Sequence, residues 1–296
     1  MALLERHGTA SPEHPLLVVV LEGWIDAGFA AQTALATLLE QVKTVPYATF
    51  DADELIDRRS RRPRLRIDDG VRGPISFGEL QLSVGVDRLG SGVAVLSGPE
   101  PDYRWRAFSK AAAGLAAELG VRLAVNLGGF PTAAPHTRPV RLASTASSVS
   151  LAAKVGYIPG SIDVPAGIAD VIGADCSAVG IPSIGLWARV PHYVAGMVFA
   201  PAALALLDGL VAVSGIALDL DGLRAAAEAG RRRVDELIAQ SEEHTAMVRQ
   251  LEEQLDEGED VLPAGGDLHV LGGGDLPTGD EIAAELERYL RGESQQ

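Results

Sequence analysis

Leu16-Leu17-Val18-Val19-Val20-Leu21 is an unbroken apolar run that enters the turn Glu22-Gly23-Trp24-Ile25-Asp26-Ala27-Gly28. A strand with one solvated face alternates apolar and polar residues. This run has no polar face, so it reads as a strand buried on both sides, the pattern of a parallel sheet covered by helices. An alanine- and leucine-rich stretch, 29–42, follows as a helix. Further out, 48–51 reads as a second strand, and 78–96 alternates and breaks at Gly90-Ser91-Gly92 as a β-hairpin. The helix 105–119 ends at Gly120, and the buried strand 123–127 is expected to stop at Gly128-Gly129. Strands at 141–145 and 184–190 and helices near 147–154 and 202–213 continue the alternation. The class is α/β, with a mixed, mostly parallel sheet between helices.

The chain divides by charge. Residues 1–218 hold 20 acidic and 18 basic side chains, whereas 219–296 hold 20 acidic and 7 basic. The first part is the expected α/β domain and the second an acidic helical segment. Residues 219–258 contain no proline and read as one long helix, with Asp219 or Asp221 as N-cap. A stripe of alternate fours and threes runs through it, apolar at Val248, Leu251 and Leu255 and weak in the middle. It serves either to fold the helix back on its own domain or to form a seam with another subunit. Residues 259–277 read as a glycine-rich linker. Thr278 and Glu281 form a capping box that opens a short helix over 279–291.

Composition narrows the function. The 296 residues are 47% hydrophobic and 22% charged, ordinary for a globular protein, and the net charge is −15. Nucleic acid is not an expected partner, because binding it requires a cationic face that displaces counterions. The single cysteine, Cys176, allows no disulfide within the chain and suits a reducing, cytoplasmic location. The first residues lack a secretory pattern. The longest uncharged apolar tract, 190–207, is interrupted by Pro191, His192 and Pro201, so no membrane span is expected.

The motifs point away from familiar catalysis. Gly23 and Gly28 precede a helix, but Phe29-Ala30 stand where a phosphate loop needs Lys and Ser or Thr. Glu22 and Asp26 would repel a phosphate there. Ser183 in Gly180-Ile181-Pro182-Ser183-Ile184-Gly185 misses the nucleophile-elbow pattern by one residue. No metal-ligand spacing occurs, and no cofactor, ATP or Mg²⁺ site is expected. His136 and His192 follow strands, where α/β folds build their sites, though each also fits a structural role. Arg58, Arg59, Arg61, Arg62, Arg64 and Arg66 crowd into nine residues without aromatic neighbours. They read as a solvated loop, or as cations awaiting an acidic surface.

Five segments together resemble the PAC2 family, the proteasome assembly chaperone 2 family, in its actinobacterial form. They are the turn 22–28, the stretch Asp53 to Pro63, Gly98-Pro99-Glu100-Pro101-Asp102-Tyr103-Arg104-Trp105, Pro135-His136-Thr137-Arg138-Pro139, and Pro191-His192-Tyr193. The resemblance implies a three-layer α/β/α fold like that of purine nucleoside phosphorylases and related hydrolases. It also implies a non-catalytic role in assembling protein complexes, with proteasome subunits as partners in eukaryotes and archaea. Chaperones of the family dock through a C-terminal hydrophobic-Tyr-any tripeptide, whereas Tyr289-Leu290 here stands before Arg291-Gly292-Glu293-Ser294-Gln295-Gln296. The competing reading is a small-molecule enzyme of phosphorylase or hydrolase type, with a pocket near His136 and His192. Candidate ligand or interaction residues are Glu22, Trp24, Asp26, Glu100, Asp102, Tyr103, His136, Arg138, His192 and Tyr193. The turn 22–26 and the segment 98–103 both follow strands, so they are expected at one edge of the sheet. The six arginines are the candidate interface of a homo-oligomer, a trimer ahead of a dimer, in which they meet acidic residues of the next subunit.

Overall fold

The run Leu16–Leu21 lies in the middle of an eight-stranded sheet in the computed structural model, which describes residues 3–8, 12–23 and 25–257. The chain opens with β1 (Leu4–Arg6), β2 (Leu16–Glu22), α1 (Ala30–Gln41), β3 (Val45–Phe50) and the short α2 (Ala52–Leu55). A hairpin follows, β4 (Arg64–Asp68) and β5 (Val71–Ser76). Next come β6 (Leu80–Val86), β7 (Gly92–Pro99), α3 (Trp105–Glu118), β8 (Leu123–Thr132), β9 (Leu142–Ala146) and α4 (Val149–Ala152). The described chain ends with α5 (Ile168–Ala178), β10 (Ser183–Pro191), α6 (Ala200–Ser214), α7 (Asp221–Ile238) and α8 (Glu242–Asp256).

The sheet order is β1-β3-β6-β7-β2-β8-β10-β9, while β4 and β5 pair only with each other. β7, β2, β8 and β10 form the parallel centre, and the outer pairs are antiparallel. The α/β class and the mixed sheet are as expected. The balance differs, with three parallel pairings against four antiparallel ones. One reason is the tight turn between β6 and β7, since a parallel pair would need a long crossover there.

The side chains of β2 explain the layers. Leu16, Val18 and Val20 join the core beneath α1 and α6, and Leu17 and Val19 join the core beneath α3 and α5. All five are at most 2% exposed. Each such side chain stabilises the fold by roughly 1.5–3 kcal/mol relative to an exposed one.

Several expectations are corrected. β8 does not stop at Gly128-Gly129 but runs to Thr132. Those glycines mark close approach, because a Cβ on Gly128 would overlap the Trp187 ring and one on Gly129 would meet the Ala27 carbonyl at 2.9 Å. The single helix expected over 219–258 is, among the described residues to 257, two helices, because Ser241 caps α8 by accepting from the His244 amide. The N-cap of α7 is Leu220, and the Asp219 carboxylate instead accepts from the Asp221 amide. Leu223, Ala227 and Val234 of α7 are buried in the same core as α6. The arginine-rich stretch is not all loop, since Arg64 and Arg66 lie in β4. The expected linker 259–277 and helix 279–291 fall outside the described residues.

Candidate functional site

Two constellations gather at the carboxyl ends of the central strands. The first is built by the register of β2 and β7, which pairs Glu22 with Pro99. The turns 22–26 and 98–103 therefore share one edge, and the Glu100 amide donates to the Glu22 carbonyl at 2.6 Å. Gly98 has φ +128°, and a Cβ there would overlap the Glu79 carbonyl oxygen, so only glycine fits. Glu22 is exposed, and Trp24 lies outside the described residues. Asp26 accepts from the Ala31 and Gln32 amides at 2.7 and 3.1 Å, filling the N-terminus of α1. Burial pushes its carboxyl above the ordinary value, and these amides pull partly back. Glu100 is buried, and its carboxylate accepts from the Ile168 amide at the start of α5, at 2.9 Å.

Arg61 enters this edge. Its guanidinium donates to the Glu100 carbonyl and lies 3.4 Å from the Asp102 carboxylate. Asp102 also accepts from the Asp57 amide at 2.8 Å. Tyr103 is 52% exposed. The arginine cluster is thus divided. Arg58 pairs with Asp53 at 3.2 Å and covers the Phe77 ring, and Arg61 is held as described. Arg59 and Arg66 reach only their near neighbours Asp57 and Asp68. Arg62 and Arg64 form no ion pair among the described residues.

The second constellation is the segment Pro135–Pro139 after β8. His136 is 2% exposed, and both ring nitrogens are engaged. Nδ1 lies 2.7 Å from the Tyr193 hydroxyl, and Nε2 lies 3.0 Å from the Asp235 carboxylate on α7. The His136 amide also donates to the Tyr193 hydroxyl, at 2.7 Å. The two rings meet edge to face at 5.7 Å. Burial pushes the Tyr193 phenol up to about 12, assisted by the charges of Glu252 and Asp235 and opposed by the His136 amide. That shift makes the phenol harder to ionise, the reverse of what a nucleophile needs. His192 is exposed and stacks edge to face on Tyr193 at 5.3 Å.

The neighbours of His136 hold the other C-terminal helix. Arg138 donates to Glu252 at 3.0 Å and to Asp256 at 2.7 Å, both on α8, and Thr137 donates to Glu252. The bond to Asp256 raises the Arg138 pKa, and the same bond holds the Asp256 carboxyl below its ordinary range. The segment thus clasps α7 through His136 and α8 through Thr137 and Arg138. No hydrogen bond or ion pair among the described residues joins the two constellations directly.

Sequence reasoning missed Asp235, Glu252, Asp256 and Arg189. The first three sit in a helical stretch full of acids, where nothing singles them out. Arg189 had a signal, as the one charge in the strand 184–190, and it is buried. Among the described residues, no group of His, Cys, Asp and Glu could hold a metal ion, and no helix is long and apolar enough to cross a membrane.

The family model described as PAC2 family matches residues 20–238. No curated protein matches the chain. Among solved structures, Mycobacterium tuberculosis Rv2714, of unknown function, is 32% identical with a TM-score of 0.81, covering 87% of this chain and 92% of that one. The Mycobacterium tuberculosis proteasome-assembly chaperone homologue Rv2125 is 34% identical with a TM-score of 0.72, covering 79% and 99%. A PAC2 family protein from Streptomyces avermitilis is 35% identical with a TM-score of 0.69, again covering 79% and 99%.

Proposed function

Because this chain belongs to the PAC2 family, we propose that it is a cytoplasmic, non-catalytic assembly factor that works by holding other proteins, proteasome subunits foremost. The observation that carries this reading is the 34% identity with the Mycobacterium proteasome-assembly chaperone homologue, over 99% of that chain. The geometry of the polar clusters supports it. His136 is 2% exposed and its ring ties Tyr193 to Asp235 on α7, a placement that suits a structural clasp. Asp26 fills the amides at the α1 N-terminus that a nucleotide phosphate would need, so no ATP binding is proposed. The test is to mix the purified chain with purified proteasome α-subunits of its own organism. A stable complex at micromolar concentration is expected. Its absence, or turnover of ATP, nucleosides or esters that is lost in His136→Ala, refutes the reading.

The assembly is proposed to be a homo-oligomer, a trimer ahead of a dimer, with the β4–β5 hairpin as interface. Leu65 pairs with Ile75 across the hairpin, Ile67 follows beyond a register shift, and Phe77 lies just past β5 with Arg58 over its ring. These four are 43%, 56%, 60% and 51% exposed in the order Leu65, Ile75, Ile67, Phe77. Exposed apolar side chains gathered on one hairpin suit an interaction surface in a globular protein. Arg62 and Arg64 beside it would set registry against the acidic surface of the next subunit. Light scattering after size exclusion should give a multiple of 30.9 kDa, reduced towards that mass in Arg62→Glu/Arg64→Glu. A wild-type monomer, or an oligomer indifferent to the double substitution at low salt, removes the hairpin from the interface.

A further inference from the structure

Three arginines converge where β8 and β10 end. A cavity of about 20 Å³ is lined by Arg138, Arg141 and Arg189, with Pro135, Pro139 and Leu255 closing it. Arg189 is 8% exposed, and its amide donates to the Arg141 carbonyl at 3.0 Å, which keeps the two residues side by side. Arg189 is the one charge in the strand 184–190. The position also has a chemical logic. In parallel α/β sheets, ligands bind outside the carboxyl ends of the strands, where β8 and β10 stop.

α8 brings its own acids to the Arg138 side of this pocket. Glu252 and Asp256 stand one helical turn apart on α8 and both take Arg138, while Leu255 between them enters the cavity. In this arrangement the remaining space holds about one water molecule. α8 itself is lightly anchored. It buries only Val248 and Leu251, and its acidic contacts with Arg138 are partly exposed ion pairs, a weak class of contact.

We propose that the Arg138–Arg141–Arg189 pocket is a binding site for an acidic segment of a partner protein, with an aliphatic residue between two carboxylates, and that α8 occupies it as an internal stand-in. The site rests on the reading of the chain as a protein-interaction factor and supplies the chemistry of the partner. α8 is tethered, so its effective concentration at the pocket is high, on the order of millimolar. A free segment of the same pattern therefore binds the wild-type chain weakly, and weakening α8 opens the site to it.

The test uses the full chain and a fluorescein-labelled peptide of its own residues 242–257. Glu252→Gln/Leu255→Ser/Asp256→Asn should bind this peptide at least tenfold more tightly than wild type. Adding Arg138→Ala should lose that gain, as should raising the salt. Should the triple variant not fold, Asp256→Asn alone carries the test with a smaller gain. A folded variant that binds the peptide no better than a charge-reversed one, or as well without Arg138, overturns the proposal. The assembly reading is scored separately, by wild-type capture of proteasome α-subunits. Capture without peptide binding ends this site alone, and peptide binding without capture ends the assembly reading while leaving the pocket.

Discussion

Replacing His136 by alanine separates a structural histidine from a catalytic one. The substitution removes the bond between Nδ1 and the Tyr193 hydroxyl and that between Nε2 and Asp235. A partly buried neutral hydrogen bond contributes about 1 kcal/mol net. The Asp235 carboxylate is 58% exposed, so screening holds its bond to about 0.5–1 kcal/mol. The edge-to-face contact with Tyr193 at 5.7 Å adds about 0.5–1 kcal/mol. Tyr193 is not left without a partner, because its hydroxyl still accepts from the backbone amide of residue 136. The expected total is about 2–3 kcal/mol, before any further loss from the vacated ring volume. Urea unfolding followed by circular dichroism should show a lower midpoint with little change in slope. Hydrogen exchange should rise in α7, which loses its tie through Asp235. Asp235→Ala should cost about 1–3 kcal/mol, because it leaves the buried Nε2 of His136 without its partner. A His136→Ala chain as stable as wild type, with α7 equally protected, refutes the assignment of His136 as a clasp.

Other perturbations test the fold and its titrating groups. Gly98→Ala should cost more than about 3 kcal/mol or abolish soluble expression, since it combines positive φ with overlap on the Glu79 carbonyl. Gly114→Ala, within α3 and facing open space, should instead stabilise by up to about 1 kcal/mol, and paired urea midpoints read both. Burial, assisted by the charge of Asp175, pushes the Cys176 thiol up to about 11, so a thiol reagent at pH 8 should label it only in denaturant. Asp87 is desolvated, yet amides of Ala217, Ser91 and Leu89 outweigh that and hold its carboxyl below the ordinary value. It therefore binds its proton less readily folded than unfolded, and its stabilisation is present above about pH 4 and lost as pH falls through the lowered value. Asp87→Asn should flatten the acid limb of the stability profile. Asp26 and Asp170, both raised by burial, act in the opposite sense and remain in that variant.

What the sequence disclosed follows from the range of the interactions involved. β2 was legible because a doubly covered strand must be apolar at every position, and Leu16 to Val20 obey that rule with no help from distant residues. The shared edge of the turns 22–26 and 98–103 was legible because parallel strands bring their carboxyl ends together. Gly128-Gly129 misled because glycine has two uses. It breaks strands, and it also admits another chain segment against the sheet, and only Trp187 and Ala27, distant in sequence, decide between them. The weak middle of the long acidic stretch concealed a serine cap, and a heptad count cannot tell a faint seam from a helix break at Ser241. The clasp lay furthest from view. His136 meets Asp235 across 99 residues and Arg138 meets Asp256 across 118. Nothing local distinguishes those two acids from the others beside them. The acidity of α8 read as a surface for the arginines of another subunit, yet Glu252 and Asp256 pair with Arg138 of their own chain. A charge run on a helix has no meaning until its opposing face is known. Here that face includes Arg138 in the segment after β8, which Glu252 and Asp256 both pair with.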